Sequence, residues 1–301
     1  MTELGGEPTT RSGFVSIVGR PNVGKSTLVN ALVGQKVAIT SSRPQTTRNT
    51  IRGVVTLEDA DAQLVLVDTP GVHKPRNALG ERLNTLVYGS LEEADAVVFV
   101  LDARQPIGPG DRLIAERLSD AGPPVVVVVN KVDIASKDDV LVQLAEAGEW
   151  GFAAYVPISA KKADGLDRVV DEVVALLPEG PFYFPSGATS DQPERLLAAE
   201  LVREKYLARL REELPHSVAV VVDEMETQDN GVLRIEATVY VERDSQKGMV
   251  IGKGGAVIRD VGTAARADLE RIFGTKVFLD LRVRVEKDWQ RKDDLLDRLG
   301  F

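Results

Sequence analysis

Residues 19–26, with the sequence GRPNVGKS, have the composition and spacing of a loop that binds phosphate groups. They fit the pattern G-x-x-x-x-G-K-[ST], in which backbone N–H groups and a helix N-terminus surround anionic oxygens. An apolar stretch, 14–18, precedes the loop and a helical stretch, 27–33, follows it. Lys25 is expected to reach the β and γ phosphates of a nucleotide. Phosphate contacts are expected from Gly19, Arg20, Pro21, Asn22, Val23, Gly24, Lys25, Ser26 and Thr27.

A second motif, DTPG, could hold a metal ion beside those phosphates. It follows the apolar stretch 64–67 and consists of Asp68, Thr69, Pro70 and Gly71. The carboxyl end of that predicted strand lies at the same edge of the sheet as the phosphate loop. We expect Asp68 to hold Mg²⁺ through water and Ser26 to ligate it directly, with the Gly71 N–H contacting the γ phosphate. By itself the motif also fits an ordinary turn.

Two further motifs could decide which base is bound. Guanine differs from adenine in its N1–H and N2 amino donors, and a single carboxylate, Asp133, can accept from both. Asn130 and Lys131 are expected to brace this loop and cover the base. A backbone N–H of the SAK motif, after the apolar stretch 155–158, suits the guanine O6. The two motifs comprise Asn130, Lys131, Val132 and Asp133, and then Ser159, Ala160 and Lys161.

A polar stretch, RPQTTR at 43–48, lies between the first two apolar stretches, where a switch loop should close over the γ phosphate. A hydroxyl from this loop would complete the Mg²⁺ ligands together with Ser26. Thr47 is the preferred ligand and Thr46 the alternative, because spacing alone does not choose between them.

The set GRPNVGKS, TTR, DTPG, NKVD and SAK resembles the translation-factor-related GTPases, and its spacing resembles the Era subfamily. In many small GTPases a glutamine after the glycine of the DTPG-type motif positions the attacking water. Val72 takes that place here, as in the hydrophobic-substituted GTPases that the chain resembles, and it is counted with the nucleotide-contacting residues. The resemblance therefore implies slow intrinsic hydrolysis.

Some other group must then stabilise the charge that develops between the β and γ phosphates. We expect Asn22 to recruit K⁺ there, as in related GTPases with asparagine at this motif position. The expected catalytic residues are Lys25, Asn22, Thr47 and Gly71. A role for His73 as general base is less favoured, because a histidine beside a turn is more often surface.

The second half of the chain contains a GKGG loop between two helical stretches. Glycines let the backbone approach phosphates closely, and Lys253 and the N-terminus of the following helix add positive potential. The predicted order α-β-β-α-α-β around this loop resembles a type II KH domain, the single-stranded RNA clamp of the Era family. The resemblance implies that Ile251 lies under the bases and that basic residues contact phosphate. RNA contacts are expected from Lys247, Ile251, Gly252, Lys253, Gly254, Gly255 and Arg259.

The elements that must position these residues follow from the apolar pattern. Apolar runs alternate with helical stretches, which predicts a mainly parallel sheet covered on both faces. The fold class is therefore α/β, a P-loop GTPase domain with a mainly parallel central sheet followed by an α+β type II KH domain. The predicted divisions are a flexible N-terminal tail at 1–12, the GTPase domain at 13–178, a linker rich in proline and glycine at 179–192, and the KH domain at 193–301.

Within the second domain we predict a helix at 194–213, a hairpin of strands 217–225 and 232–242, and a strand at 276–285. Trp289 is expected to pack the C-terminal segment against its own domain.

Composition limits where the protein acts. The 301 residues include no cysteine, which excludes thiolate metal sites and thiol catalysis and fits a reducing cytoplasm. No apolar run reaches the ~20 residues that span a bilayer. The net charge of −9 gives no global attraction to nucleic acid, so any binding must come from a local basic surface.

The leading hypothesis is a monomeric GTPase, with Mg²⁺ and K⁺ as cofactors, whose nucleotide state controls RNA binding. By the resemblance to Era, the RNA is the 3′ end of small-subunit (16S) ribosomal RNA, and the role is assembly of the 30S subunit. The alternative is a signalling GTPase that acts on cell-cycle proteins or peripherally at the inner face of the membrane. A constitutive RNA-binding protein with a vestigial nucleotide domain is disfavoured, because Lys25, Ser26, Asp68 and Asp133 are intact.

Overall fold

The protein is seen in a computed structural model that describes residues 10–41, 43, 46–72, 75, 77–211 and 214–301. The described residues form two compact units. Among the described residues, the first unit comprises 10–38, 47–72 and 83–191, and the second comprises 39–41, 43, 46, 75, 77–82, 192–211 and 214–301.

A six-stranded sheet forms the centre of the first unit. Its strands are β1 (Arg11–Val18), β2 (Ile51–Leu57), β3 (Ala62–Asp68), β4 (Ala96–Asp102), β5 (Val125–Asn130) and β6 (Ala154–Ile158). They lie in the order β2-β3-β1-β4-β5-β6, and every neighbouring pair is parallel except the antiparallel pair of β2 with β3. The mainly parallel sheet predicted from the apolar runs is confirmed.

Helices account for the complete burial of the central strands. They are α1 (Lys25–Val33), α2 (Ala78–Glu92), α3 (Pro109–Ala121), α4 (Lys137–Gly148) and α5 (Leu166–Leu176). Successive residues of a strand face opposite sides of the sheet. Val98 and Val100 accordingly belong to one hydrophobic cluster, and Val97 and Phe99 to another. Both faces of the sheet are buried, so β4 and β5 have apolar residues at consecutive positions instead of alternating apolar and polar ones.

The first unit differs from the sequence prediction at its edge. Strand β2 was not predicted, since an edge strand with an exposed arginine, Arg52, and a glycine, Gly53, has no clear apolar pattern. Arg11 and Ser12 were assigned to the tail, yet they begin β1, because Arg11 pairs with Ala62.

Part of the stretch predicted as a linker lies along the edge of this sheet. The Val54 N–H donates to Thr189 O at 2.9 Å, and Gly53 bridges Ser190. The Gln63 amide also donates to Phe184 O at 2.9 Å. These contacts cover the backbone groups of the edge strand, which would otherwise be open to pairing with another chain.

The second unit has one three-stranded sheet with helices. Its elements are α6 (Glu194–Arg209), β7 (Ala219–Thr227), β8 (Leu233–Val241), α7 (Asp244–Ile251), α8 (Ala256–Phe273), β9 (Val277–Val285) and α9 (Asp293–Arg298). Strand β8 lies in the middle, antiparallel to β7 and parallel to β9. The predicted order α-β-β-α-α-β is present, whereas α6 ends at Arg209 instead of extending to 213.

The C-terminal segment packs as predicted for Trp289. Its ring is fully buried, its indole N–H donates to Ser217 O at 3.2 Å, and it stacks on Phe301 at 5.3 Å. The short helix α9 was not predicted; it buries Leu295 and Leu296. Among the helices of the described residues, none combines the length and the apolar character needed to cross a bilayer.

Candidate nucleotide and RNA sites

The phosphate loop leaves the carboxyl end of β1 and leads into α1. Lys25 is 6% exposed, and its ammonium donates to the carbonyls of Gly19 and Arg20 at 3.1 Å each. Burial lowers the pKa of Lys25 to about 8, and the charge of Asp68 only partly offsets this effect. Burial disfavours the charged ammonium, and a phosphate anion at the loop would stabilise it. The buried position of Lys25 therefore favours binding of an anionic ligand.

Three side chains predicted to surround Mg²⁺ lie together beside this loop. The Ser26 hydroxyl donates to Asp68 Oδ2 at 2.6 Å and lies 3.0 Å from the Thr47 hydroxyl. Thr47 also donates to Asp68 Oδ2, at 3.3 Å. Asp68 and Thr47 are both buried. The Thr46 hydroxyl instead donates to Arg43 O at 2.7 Å and closes a local turn.

The Asp68 carboxylate has an acceptor to spare. Its Oδ1 is buried and has no hydrogen-bond partner among the described residues. Burial raises the pKa of the Asp68 carboxyl, against the lowering effects of the Ser26 hydrogen bond, the Lys25 charge and the Thr47 hydrogen bond. A carboxylate whose Oδ2 accepts from two hydroxyls and whose Oδ1 has no partner among the described residues fits the oxygen ligands, direct or through water, that Mg²⁺ takes in proteins.

Gly71 approaches the phosphate loop so closely that a side chain would not fit. A Cβ added there would lie 2.8 Å from the Cα and the backbone N of Pro21. Thr69 anchors the same turn, because its hydroxyl donates to Ile17 O at 2.8 Å. Val72 is half-buried and packs against the cluster that contains Val18 and Phe99. His73 lies outside the described residues.

The guanine-site motif is tied to the phosphate loop. The Asn130 amide donates to Val23 O at 2.9 Å, and its carbonyl oxygen accepts from the N–H groups of Lys131 and Ala160 at 2.8 and 3.0 Å. The Ala160 N–H is one of the SAK-motif N–H groups that could contact the guanine O6, and here it donates to the Asn130 side chain.

Asp133 is exposed at the rim of this site. Its Oδ1 accepts from the Ser159 hydroxyl at 2.7 Å, which fixes the carboxylate without burying it. An exposed and oriented carboxylate suits recognition of two N–H donors on one base edge.

The GKGG loop of the second unit joins α7 to α8. Gly252 has φ 76°, and a Cβ there would lie 2.8 Å from the backbone N of Val257. Gly254 has φ 60°, but no described atom lies within 4 Å of a Cβ built on it. Lys253 and Gly254 are exposed, so the loop presents its backbone and one cation to solvent.

A groove of about 380 Å³ opens next to this loop, between α8 and β9. Its floor is apolar and its rim is basic. Arg259 was predicted; Arg266, Thr263 and the apolar residues were missed, although the helical spacing of 255, 259, 262 and 266 indicates one face of α8. The lining comprises Gly255, Ile258, Arg259, Gly262, Thr263, Arg266, Leu279 and Leu281.

Two residues of the predicted RNA site lie elsewhere. Lys247 and Ile251 belong to α7 and are half-buried, and neither lines the groove. The apolar part of the groove lining consists of Ile258, Leu279 and Leu281, whereas Ile251, which we expect under the bases, lies outside this lining. The strand β9 contributes to the floor because its alternate residues point toward α8.

Comparison with known proteins agrees with this architecture. The sequence family described as 50S ribosome-binding GTPase matches residues 14–131, and the KH domain family matches residues 213–290. GTPase Era of Mycobacterium tuberculosis is 53% identical over 297 residues, which cover 96% of this chain and 98% of that protein. GTPase Era of Mycobacterium avium is also 53% identical, over 97% of this chain and 99% of its own.

Solved structures give the same result. A crystal structure of Era in complex with MgGDPNP and nucleotides 1506–1542 of 16S ribosomal RNA has a TM-score of 0.93 and 39% identity. A variant of Aquifex aeolicus Era bound to GDP·AlF4⁻ has a TM-score of 0.92 and 40% identity. Each comparison covers 97% of this chain and 99% of the other. The fold is a P-loop GTPase domain followed by a KH domain, and the chain belongs to the Era family of GTP-hydrolysing enzymes.

Proposed function

We propose that this chain is a GTP-hydrolysing switch that binds the 3′ end of small-subunit ribosomal RNA during assembly of the small subunit. The observation that carries the proposal is the contact of Thr47, in the predicted switch loop, with Ser26 and Asp68 beside the phosphate loop. A switch residue that completes a metal site links the position of its loop to the nucleotide. The domain limits that we propose are 13–178 for the GTPase domain, extended at its start by Arg11 and Ser12 of β1, and 193–301 for the KH domain.

Mg²⁺ fits the donor set of the first unit. Ser26 and Thr47 would ligate the ion and Asp68 would hold it through water, using the oxygen that is otherwise unpartnered among the described residues. When bound, Mg²⁺ would neutralise charge on the β and γ phosphates. Lys25 would bind the same phosphates, the Gly71 N–H would contact the γ phosphate, and Asp133 would accept from the guanine edge.

K⁺ is the further cofactor that we propose. Asn22 is exposed in the phosphate loop with φ 65°, a left-handed conformation uncommon for a residue other than glycine. Val72, directed into the core, supplies no polar group to orient water. We therefore expect faster GTP hydrolysis in KCl than in NaCl, and equal rates in the two salts for Asn22→Ala. Equal wild-type rates in both salts would show that K⁺ is not a cofactor.

The RNA part of the proposal is supported by the groove beside the GKGG loop. A groove with an apolar floor and the cations Arg259 and Arg266 at its rim suits stacked bases and a phosphate backbone. One relative of known structure is bound to nucleotides 1506–1542 of 16S ribosomal RNA. We propose the corresponding 3′-terminal RNA, within the 30S subunit, as the ligand here.

Gly254→Asp tests the RNA site with little risk to folding. Aspartate tolerates positive φ better than most residues, and there is room for it among the described atoms. The new carboxylate should repel the RNA backbone and weaken binding of a 3′-terminal 16S oligonucleotide about tenfold or more. Gly274→Asp is the matched control, because Gly274 has φ 66°, is equally open among described atoms and lies at the other end of α8.

The control variant should bind the oligonucleotide like the wild type. Equal affinity of the Gly254→Asp variant and the wild type would exclude the loop as an RNA site. Cell fractionation distinguishes ribosome assembly from the alternative, a signalling role at the membrane. We expect the protein to co-sediment with immature small subunits in the cytoplasm. A membrane-bound pool that persists after RNA digestion would favour the signalling role.

A further inference from the structure

Asp102 is the last residue of β4 and belongs to none of the motifs described above. It pairs in parallel register with Asn130, the first residue of the NKVD motif. The Ala103 N–H donates to Asn130 O at 2.8 Å, which fixes the two strand ends side by side. The Asp102 side chain is only 4% exposed. A buried carboxylate therefore lies directly beside the guanine-site motif.

Four donors hold this carboxylate in one orientation. Asp102 Oδ1 accepts from the backbone N and the Nε of Arg104 at 3.1 and 3.0 Å. Its Oδ2 accepts from the Arg104 guanidinium at 2.8 Å and from Lys131 Nζ at 2.7 Å. The Gln143 amide of α4 also donates to the Asp102 backbone carbonyl at 2.8 Å. Oδ2 is consequently fixed toward Lys131.

Lys131 is held at both ends. Its backbone has φ 73°, and its N–H donates to Asn130 Oδ1 at 2.8 Å. The left-handed conformation is unfavourable for a non-glycine residue and persists where the surroundings impose it, often at a functional site. Besides Asp102, the ammonium also donates to Asn22 O in the phosphate loop. The methylene stem thus runs between two fixed points.

We infer that Asp102 is a positioning residue that holds the Lys131 stem in place to cover one face of the bound base. The inference rests on the guanine-nucleotide site proposed above. A free lysine side chain loses rotamer entropy when it becomes ordered. With Asp102 in place, Lys131 loses most of this entropy when the protein folds. The free energy of base binding is therefore not reduced by ordering Lys131. Asp102 raises affinity without selecting among purines.

Asp102→Asn keeps the shape of the side chain and removes its charge. Because a neutral amide no longer forms an ion pair with the Lys131 ammonium, we expect the Kd for GDP to rise about tenfold, which corresponds to about 1.4 kcal/mol. The KM for GTP should rise by a similar factor while kcat changes less than twofold. Affinity for IDP, which lacks the N2 amino group, should fall by the same factor as affinity for GDP.

A double-mutant cycle with Lys131→Met isolates the interaction. In the Lys131→Met background, Asp102→Asn should change the Kd less than twofold, because the group that it positions is gone. Asp95→Asn is the matched control at the opposite end of β4, where Asp95 accepts the Phe14 N–H at 2.8 Å. It should leave the Kd for GDP unchanged. If Asp102→Asn does not fold, Asp102→Glu is compared in the same cycle, with a several-fold rise expected.

Three results would overturn the inference. They are an unchanged Kd in a folded Asp102 variant, an equal effect of that variant in the Lys131→Met background, and a changed ratio of GDP to IDP affinity. The last would mean that Asp102 acts through Asp133. Failure of the wild type to bind GDP would contradict the guanine site itself and is read from the same titrations.

Discussion

The Ser26 hydroxyl donates to Asp68 Oδ2 at 2.6 Å, so the phosphate loop and the DTPG motif are joined through the pair that we assign to Mg²⁺. Ser26→Ala removes the hydroxyl that we propose as a direct Mg²⁺ ligand and that donates to a buried carboxylate. We expect kcat for GTP hydrolysis to fall about 100-fold, the loss typical for one group that stabilises transition-state charge. Mg²⁺ should no longer tighten GDP binding, as titration of a fluorescent GDP with and without EDTA would reveal.

Ser16→Ala is the control for that change. The Ser16 hydroxyl lies in β1, 2.9 Å from the Ser90 hydroxyl, and contacts no proposed ligand in the described structure. It should retain the response to Mg²⁺. If the Ser26→Ala variant also retains it, Ser26 is not a ligand.

The orientation of Asp133 by Ser159 predicts a change of base preference. Asp133→Asn replaces an acceptor by a side chain that also donates, which suits the C2 carbonyl of xanthine and leaves the guanine N–H groups poorly paired. Affinity for GDP should fall about 100-fold and affinity for XDP should rise. Competition titrations measure both, with Asp138→Asn on the exposed first turn of α4 as control. A parallel fall for both nucleotides would indicate structural damage instead.

The buried and ion-paired carboxylate of Asp102 should make the free energy of unfolding depend on pH in the acidic range. Desolvation raises its pKa, but hydrogen bonds from Arg104 and Lys131 and the charge of Lys131 outweigh that effect and lower the pKa to about 2 from an ordinary 3.8. Because the folded pKa is depressed, the stabilisation is present above pH 3.8 and is lost as the pH falls toward 2. It amounts to about 2 kcal/mol.

Urea unfolding of the wild type and of Asp102→Asn measures this contribution. The free energy of unfolding of the wild type should exceed that of the variant at pH 6, and the difference should narrow by about 1 kcal/mol by pH 3. A difference that stays constant over this range would mean that the Asp102 charge does not stabilise the folded state.

The GKGG loop predicts unequal effects of alanine at two glycines. Gly252→Ala places a Cβ 2.6 Å from the Val257 side chain and 2.8 Å from its backbone N, so the start of α8 must move. Gly254→Ala meets no described atom within 4 Å and suffers only the backbone strain of about 1–2 kcal/mol. Thermal unfolding should show the larger loss of stability for Gly252→Ala. Equal losses would mean that the loop relaxes around either change.

Much of the nucleotide site was predictable because its residues lie where parallel strands end. Asp68 and Asn130 are each the last residue of a buried strand, and parallel strands bring those ends to one edge. Spacing alone does not decide between Thr47, the preferred ligand, and Thr46, since both hydroxyls have the same chemistry. The path of the loop places the Thr47 hydroxyl beside Ser26, whereas the Thr46 hydroxyl donates to Arg43 O.

The residues that sequence reasoning missed act through contacts between elements. Asp102 is a single carboxylate at a strand end until the neighbouring strand places Lys131 at 2.7 Å. Leu279 and Leu281 resemble ordinary alternating core residues of a strand, and only their place opposite α8 makes them the floor of a groove. Strand β2 was missed because its side chains are partly exposed, so burial did not impose an alternating pattern.

In the proposed switch, nucleotide state and RNA binding are linked, and such a linkage is reciprocal. The most direct measurement is the Kd of a 3′-terminal 16S oligonucleotide for the protein saturated with GDP or with GDPNP, with the Gly254→Asp variant in parallel. We expect Kd values that differ about tenfold between the two nucleotides, with binding weakened in both states of the variant. Equal Kd values for the two wild-type complexes would contradict it.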